Sequence, residues 1–181
     1  MKCSSCRIGR LNPSYLEGLF VCHTCSECEG NFILLRDYLR WKNENPDVDL
    51  GERVDPEVVP QETSKAMICP KTGGLMTKYK ISADTDHRID LSPGINAIWL
   101  DKGEWELLKA KGLATKLNRI FTDHWQHEIR SNEAVEVLSA LYERKFGDRY
   151  DEVKQLRSSL ESMENRSEVI AYLLADDPYE I

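Results

Sequence analysis

Five cysteines stand within the first 28 residues of this 181-residue chain, and they restrict its fold more than any other feature. Cys3 and Cys6 form one Cys-x2-Cys pair, and Cys25 and Cys28 form a second pair after 18 intervening residues. Each pair can curl into a tight turn that presents two sulfurs, and four thiolates at about 2.3 Å close a tetrahedral shell around zinc. The spacing therefore predicts a zinc ribbon with one Zn²⁺ per chain. Such a closed shell is structural, because it leaves no coordination position open for catalysis.

A fifth cysteine, Cys22, leaves a second ligand set open, because Cys22-x2-Cys25 is also an acceptable pair. We favour Cys25 with Cys28, since Gly30 follows that pair and frees the turn after it. The internal similarity described below also matches this register. A set of unrelated free thiols rarely produces two such spacings so close together. A redox Cys-x2-Cys pair needs a βαβ context, which residues 1–40 lack.

The charge of the chain is unevenly distributed, and this bears on its partners. The net charge is -7, and residues 43–65 alone hold seven acidic and two basic residues. Nucleic-acid binders gain most of their affinity by neutralising phosphates, so this balance disfavours a large DNA footprint. Weak binding through residues 1–42 stays open, although four zinc-bound thiolates would cancel the small excess of positive charge there. Its candidate contacts are the basic residues Lys2, Arg7, Arg10, Arg36, Arg40 and Lys42.

A second segment of the chain resembles the first. Residues 92–108 align with residues 25–41 at an offset of 67, which places Trp99 opposite Phe32. Upstream, Cys69-Pro-Lys-Thr72 aligns with Cys3-Ser-Ser-Cys6 at an offset of 66. We therefore expect a degenerate, ribbon-like repeat at residues 66–111.

The four ligand positions of this second repeat read Cys69, Thr72, Ser92 and Ile95. Only one thiol remains, and isoleucine cannot bind a metal, so the repeat is expected to fold without zinc. Apolar packing must then replace the free energy that a structural zinc contributes. A mixed site from Cys69, His87 and nearby aspartates is the alternative, but it makes a poor tetrahedral set.

These motifs resemble the transcription factor IIB-type zinc finger, which is found in many small bacterial proteins. The first repeat has that family's Cys-x2-Cys and Cys-x2-Cys-x-Gly, although Phe32-Ile33-Leu34 replaces its usual signature. The second repeat, from Trp99 to Trp105, is similar to the family's Trp-Leu-Asp-x-Gly-Glu signature but has lost three cysteines. Two-finger proteins of this layout also carry a helical part resembling residues 121–130. The resemblance implies zinc binding and a ribbon fold, and the family's name suggests transcription.

The remaining segments predict a linker and helices. Residues 43–65 contain three prolines and no aromatic residue, which predicts a solvated acidic linker. Between residues 113 and 125, apolar residues recur at helical spacing and predict one helix, and Ser131-Asn132 predicts the N-cap of the next. His124, His127 and Glu128 are interpreted as polar residues on an outer helix face. If these helices have more apolar surface than a single chain can bury in its core, the remainder would form a homodimer face or a groove for a partner.

Together the patterns predict an α+β fold of small domains. A zinc ribbon with a short helix occupies residues 1–42, the acidic linker 43–65, the degenerate repeat 66–111, and an α-helical C-terminal region 112–181. The chain has no nucleophile–base pair, phosphate loop or open metal site, so we do not expect an enzyme or a small-molecule substrate. We expect instead a zinc-binding protein that acts in protein–protein interaction or as a transcription-associated adaptor, with a protein partner or a homodimer.

The sequence also bears on location. No apolar run approaches the roughly 18 residues that a membrane span requires. The N-terminal residues have no apolar region of the kind that a secretory signal contains. We therefore expect a cytoplasmic protein without a membrane partner.

Overall fold

The structure is a computed structural model that describes residues 1–50, 60–61 and 63–179. Part of the predicted acidic linker lies outside these residues. The chain divides into two compact units, Met1–Asn132 and Glu133–Ile181. No helix in the described ranges is long and apolar enough to cross a bilayer.

The first unit repeats one order of elements, three strands followed by a helix. The first set consists of β1 (Leu11–Leu16), β2 (Phe20–Cys25), β3 (Asn31–Leu34) and α1 (Leu35–Glu44). The second set consists of β4 (Thr77–Lys80), β5 (Arg88–Ser92), β6 (Ala97–Leu100) and α2 (Glu104–Ala110). The predicted α+β class is therefore confirmed.

The six strands form one antiparallel sheet in the order β1-β2-β3-β6-β5-β4. The two sets meet where β3 pairs with β6, with Phe32 opposite Trp99. On either side of this pair, Asn31 is opposite Leu100 and Ile33 is opposite Ile98. Shifting β3 by 67 residues places Asn31 on Ile98 and Ile33 on Leu100, so each residue maps onto the partner of the other. The two strands are therefore related by approximate two-fold symmetry. The predicted ribbon and the predicted degenerate repeat thus share one sheet.

The alternation of side chains along the strands separates two cores. Ile98 and Leu100 of β6 face the layer of helices, where they pack with Tyr38 of α1 and Leu108 of α2. The intervening Trp99 faces the opposite side, within a cluster that contains the cysteines of the predicted metal site and two buried methionines. Both faces of the central strands are therefore covered.

The helices after the sheet differ from the prediction in two places. The predicted helix at residues 113–125 is divided into a 3-10 turn (Ala114–Lys116), α3 (Leu117–Ile120) and the start of α4 (Asp123–Phe146). Between α3 and α4, the Thr122 hydroxyl donates to the Arg119 carbonyl and accepts from the Trp125 N–H, so Thr122 begins a new helix.

The predicted N-cap at Ser131-Asn132 is wrong, because α4 continues through both residues. Extending an existing helix costs less free energy than nucleating a new one. Within a helix, serine and asparagine are each less favourable than alanine by only about 0.5 kcal/mol. A second 3-10 turn (Gly147–Arg149), α5 (Tyr150–Glu161) and α6 (Arg166–Leu174) complete the second unit.

Candidate metal centre

Four sulfur atoms converge at one end of the sheet. The sulfurs of Cys3, Cys6, Cys25 and Cys28 all lie within 4.8 Å of one another. Cys3 Sγ is 3.8 Å from Cys28 Sγ, and Cys6 Sγ is 3.7 Å from Cys25 Sγ. Four ligands placed tetrahedrally at about 2.3 Å from an ion lie about 3.8 Å from one another. The donor set and its spacing therefore fit a four-thiolate metal site.

Two similar turns position the four sulfurs. The Cys3 N–H donates to the Gly9 carbonyl at 2.9 Å, which closes the turn that precedes β1. The Cys25 N–H donates to the Gly30 carbonyl at 2.9 Å, which closes the turn between β2 and β3. The residue after each Cys-x2-Cys pair has a positive φ, 65° at Arg7 and 56° at Glu29. These left-handed residues reverse the chain, so that both sulfurs of a pair point to the same side.

Backbone groups approach the sulfurs closely. The Gly9 N–H donates to Cys6 Sγ at 3.3 Å, and the Glu27 N–H donates to Cys25 Sγ at 3.5 Å. A methyl group on Gly9 would lie 2.4 Å from Cys25 Sγ, so this position tolerates no side chain. The N–H groups favour thiolates, because hydrogen bonds to the charged form stabilise it.

Burial and hydrogen bonding act on these thiols in opposite directions. Burial raises the pKa of Cys3 and of Cys28. Burial also acts to raise the pKa of Cys6, but the N–H groups of Gly9 and Ile8 outweigh it and bring that pKa to about 7. Four neighbouring thiolates repel one another, and a bound cation offsets this repulsion because metal ligation requires the ionised thiol.

Cys22 lies outside this group of sulfurs. It is 1% exposed in the helix-covered core, and its sulfur lies 3.6 Å from Thr24 Oγ1 and 3.7 Å from Asn31 Oδ1. Cys22 and Cys25 are three residues apart on β2, so their side chains point to opposite faces of the sheet. The alternative pair of Cys22 with Cys25 therefore does not present two sulfurs to one ion.

The corresponding positions of the second set also lie near one another. Burial acts to raise the pKa of Cys69, but hydrogen bonds from the Ser92 and Thr72 hydroxyls hold it below its ordinary value. Ile95 packs against the same buried cluster as Cys69. Within the described ranges, no group of three or more His, Cys, Asp or Glu ligand atoms includes Cys69 or His87. A hydrophobic and hydroxyl-lined cluster thus occupies the place that sulfurs take in the first set.

The backbone of the two sets corresponds as well. Gly73 and Asn96 have φ values of 74° and 48°, and they follow Arg7 and Glu29 by 66 and 67 residues. The Cys69 N–H donates to the Gly74 carbonyl at 2.8 Å, as the Cys3 N–H does to Gly9. Each left-handed position of the two Cys-x2-Cys turns therefore has a counterpart in the second set.

The residues of the Trp-Leu-Asp-Lys-Gly-Glu signature join the second set to the first, a role that the sequence analysis did not assign. Trp99 Nε1 donates to Asp101 Oδ1 at 2.7 Å, and the Thr63 N–H donates to Asp101 Oδ2 at 2.5 Å. The Ser5 hydroxyl, which lies between Cys3 and Cys6, donates to Asp101 Oδ1 at 3.5 Å. The Asp101 carboxylate thus holds the first Cys-x2-Cys turn, the chain before β4 and the Trp99 ring.

Ion pairs add further connections between the two sets. Lys102 Nζ lies 2.9 Å from Glu29 Oε2, beside the second Cys-x2-Cys turn. At the β1–β2 hairpin, Glu17 accepts from Trp105 Nε1 at 2.9 Å and from Lys109 Nζ at 2.6 Å. Burial raises the pKa of Glu17, but its hydrogen bond with Lys109 outweighs this and holds the pKa below its ordinary value. In the sequence, the signature indicated only a resemblance to a family. Its role in joining the two sets was not predictable, because long-range contacts of this kind leave no periodic signal in a sequence.

The six basic residues proposed for nucleic-acid contact lie in two places. Lys2, Arg7 and Arg10 are exposed around the first Cys-x2-Cys turn. Arg36 and Arg40 are exposed on α1, in the helical layer on the opposite face of the sheet. The remaining residue, Lys42, is half-buried and donates to Asn118 Oδ1 at 3.2 Å. The six residues therefore do not form one continuous strip.

The histidines of α4 are exposed, as the sequence analysis expected. His124 Nε2 lies 3.6 Å from Glu128 Oε1, and both side chains are mostly solvent-exposed. In the part of the chain that the structure describes, no metal-ligand group includes them.

Comparisons of the chain with protein-family models, with curated proteins and with solved structures find no match. The resemblance to the transcription factor IIB-type zinc finger therefore stays a prediction.

Proposed function

We propose that the chain is a non-enzymatic zinc-binding protein whose metal stabilises the first ribbon and whose helical C-terminal unit binds a protein. The metal assignment depends on one observation, the convergence of the sulfurs of Cys3, Cys6, Cys25 and Cys28 within 4.8 Å of one another. A tetrahedral shell of four thiolates selects zinc or iron among the common metals. Zinc is favoured because paired Cys-x2-Cys turns are typical of structural zinc sites.

The proposed role of the metal is structural. All four positions of the shell come from the protein, so no position remains for a substrate or an activated water. Apparent binding free energies of structural zinc sites are about 10–16 kcal/mol, and this energy is available for folding. Apart from the cysteines, the buried apolar residues that the first set contributes to its cysteine face are Leu11 and Phe32. This small cluster is expected to depend on the free energy of metal binding.

The second set is proposed to be a degenerate copy of the ribbon that replaces the metal with packing. Met67, Met76 and Trp99 are each at most 4% exposed around Cys69, which supports this interpretation. The network around Asp101 would then let the metal-free copy support the metal-bound one.

Metal analysis tests the proposal. Protein purified under reducing conditions is expected to hold one zinc per chain, measured by plasma mass spectrometry. Cys6→Ser and Cys25→Ser should lose the zinc and unfold the first ribbon, because each removes one of four ligands. Cys22→Ser and Cys69→Ser are matched controls, since they replace buried cysteines outside the shell and should retain the zinc. The proposal would be contradicted if the purified protein held no metal, two zinc ions, or iron in place of zinc. Loss of zinc in Cys22→Ser would also contradict it.

Weak nucleic-acid binding is a second candidate, which the exposure of Lys2, Arg7 and Arg10 around one turn favours. Replacing these three residues with alanine should abolish retention on heparin or single-stranded DNA if the candidate is correct. Retention should also fall steeply with salt, because counterions are released on binding. Absence of retention at about 50 mM salt would reject this candidate.

A further inference from the structure

The C-terminal unit has an apolar surface that its own helices leave open. Among the described residues 133–179, none is buried. Large apolar side chains are nevertheless frequent, and many are 38–78% exposed. A helical unit of this size buries little surface of its own, and exposed apolar side chains in this number mark an interaction surface.

A groove about 440 Å³ in volume lies between α4 and α5. Val135, Leu138, Tyr142 and Phe146 line the α4 wall, whereas Lys154 and Arg157 contribute positive charge from α5. Lys154 lies 2.8 Å from Asp151, and Arg157 lies 3.0 Å from Glu161, but these are exposed neighbours on the same helix. Such surface pairs contribute little, so both cations are available to an incoming acidic group.

The last helix of the chain has the complementary chemistry. Val169 and Ile170 are half-buried, whereas Leu173 and Leu174, one turn further along α6, are 55% and 78% exposed. Asp176 and Asp177 follow directly after the helix. The end of α6 is therefore an apolar turn followed by two acids, which matches an apolar wall next to two cations.

We propose that the C-terminal unit forms a homodimer in which the end of α6 of each copy occupies the α4–α5 groove of the other. This inference rests on the proposed function, because it identifies the protein that the unit binds as a second copy of this chain. Leu173 and Leu174 pack against Leu138 and Tyr142, and the acids after α6 approach Lys154 and Arg157. The exchange is reciprocal and closes with two-fold symmetry, so both grooves and both α6 ends are covered.

Sedimentation equilibrium of the zinc-loaded full chain tests the inference over a range of protein concentrations. A dimer is expected, and Leu138→Asp and Leu173→Asp should each yield a monomer. Val137→Asp is the matched control, because Val137 is 68% exposed on α4 but does not line the groove. Zinc content and helical circular dichroism establish that each variant is folded.

A charge exchange separates this arrangement from any other dimer. Lys154→Glu with Arg157→Glu should weaken the dimer at least tenfold, and adding Asp176→Lys with Asp177→Lys should restore it. A monomer at every concentration would overturn the inference, as would a dimer that survives Leu173→Asp. A monomer that binds a different protein through the groove leaves the proposed function intact but rejects the second copy as partner. If the protein is a monomer and groove variants change its binding to no other protein, both the inference and the proposed function are rejected.

Discussion

The indole ring of Trp99 lies against the backbone of Gly30, so closely that a methyl group on Gly30 would be 2.3 Å from Trp99 Cζ2. The Gly30 carbonyl accepts the hydrogen bond that closes the second Cys-x2-Cys turn. Trp99 is fully buried and belongs to β6 of the other strand set. This contact joins the candidate metal centre directly to the second strand set.

We predict that Gly30→Ala destabilises the protein by about 1–3 kcal/mol, which is typical when a methyl group overpacks a core. The added methyl group must displace either the Trp99 ring or the turn that contains Cys25 and Cys28, so zinc release should also accelerate. Chemical denaturation and competition with a chelator measure the two effects.

Gly94→Ala is the matched control for this change. A methyl group on Gly94 would meet no atom within 4 Å, so we expect little change in stability or in zinc release. Equal behaviour of the two variants would show that the packing of Trp99 on Gly30 does not support the site.

A second prediction concerns Asp101, which accepts from Trp99, Thr63 and Ser5. Asp101→Asn preserves the shape but has only one acceptor oxygen, and its amide group would face N–H or O–H donors. We expect a loss of about 1–3 kcal/mol, the cost of leaving a buried polar group unsatisfied. Zinc should exchange faster in a chelator competition, while the stoichiometry at saturating zinc stays at one.

The comparison for this variant is Asp86→Asn. Asp86 pairs with Lys80 but is 94% exposed, so its replacement should change the free energy of unfolding by less than about 0.5 kcal/mol. If Asp101→Asn changes stability but leaves the rate of zinc exchange unchanged, Asp101 supports the sheet rather than the metal centre.

The local features of the fold were predictable from the sequence, and the long-range ones were not. The spacing of Cys3, Cys6, Cys25 and Cys28 predicted which four sulfurs meet, because each pair needs only a local turn. The pairing of β3 with β6 joins residues 63 to 69 positions apart, and no periodicity in either strand indicates which other strand it will pair with. The role of Asp101 depends on its contacts with Ser5 and Thr63, which are 96 and 38 positions away in the chain, so it emerges only from the three-dimensional arrangement.

The choice between Cys22 and Cys28 as the partner of Cys25 depends on where β2 ends. Residues an odd number of positions apart on a strand face opposite ways, so Cys22 and Cys25 are incompatible as a pair because β2 extends to Cys25. The Ser131-Asn132 prediction was wrong because α4 already begins at Asp123, upstream of both residues. Cap residues indicate a boundary only where the chain is not already helical.

A third prediction follows from Glu104, which is 2% exposed and accepts from the Asp101 N–H. Burial raises its pKa well above the ordinary value of 4.5, and the charges of Asp101 and Asp90 add to this effect. Since the folded pKa exceeds the unfolded one, the contribution of Glu104 to stability is complete below about pH 4.5. It is lost as the pH rises through the folded pKa.

Glu104→Gln should therefore become progressively more stable than the natural chain as the pH rises. Glutamine resembles the protonated acid and still offers an oxygen to the Asp101 N–H. Melting temperatures of the zinc-loaded proteins, compared between pH 5.5 and 8.5, measure the difference. The exposed Glu152→Gln is the control and should show a constant difference. Parallel pH profiles for Glu104→Gln and the natural chain would mean that Glu104 is ionised throughout this range.

The last prediction concerns the second strand set, where three substitutions should create a second metal site. Cys69 is already present, and Thr72→Cys, Ser92→Cys and Ile95→Cys supply the other three thiols. The hydroxyls of Thr72 and Ser92 already contact the Cys69 sulfur. The left-handed residues Gly73 and Asn96 correspond to those that follow each Cys-x2-Cys pair in the first set. The backbone therefore already has the turns that present sulfurs.

We expect the triple variant to bind two zinc ions per chain. When cobalt replaces zinc, the intensity of the absorption bands of tetrahedral cobalt should be twice that of the natural chain. Replacing Ile95 costs about 1–2 kcal/mol of packing, which the roughly 10 kcal/mol available from a four-thiolate zinc site exceeds. Adding Cys69→Ser to the triple variant is the control, because three thiols leave the shell open and the second ion should bind weakly. A triple variant that holds one zinc and exposes four reactive thiols would refute the degenerate-copy interpretation, since the turns would then not share the geometry of the first site.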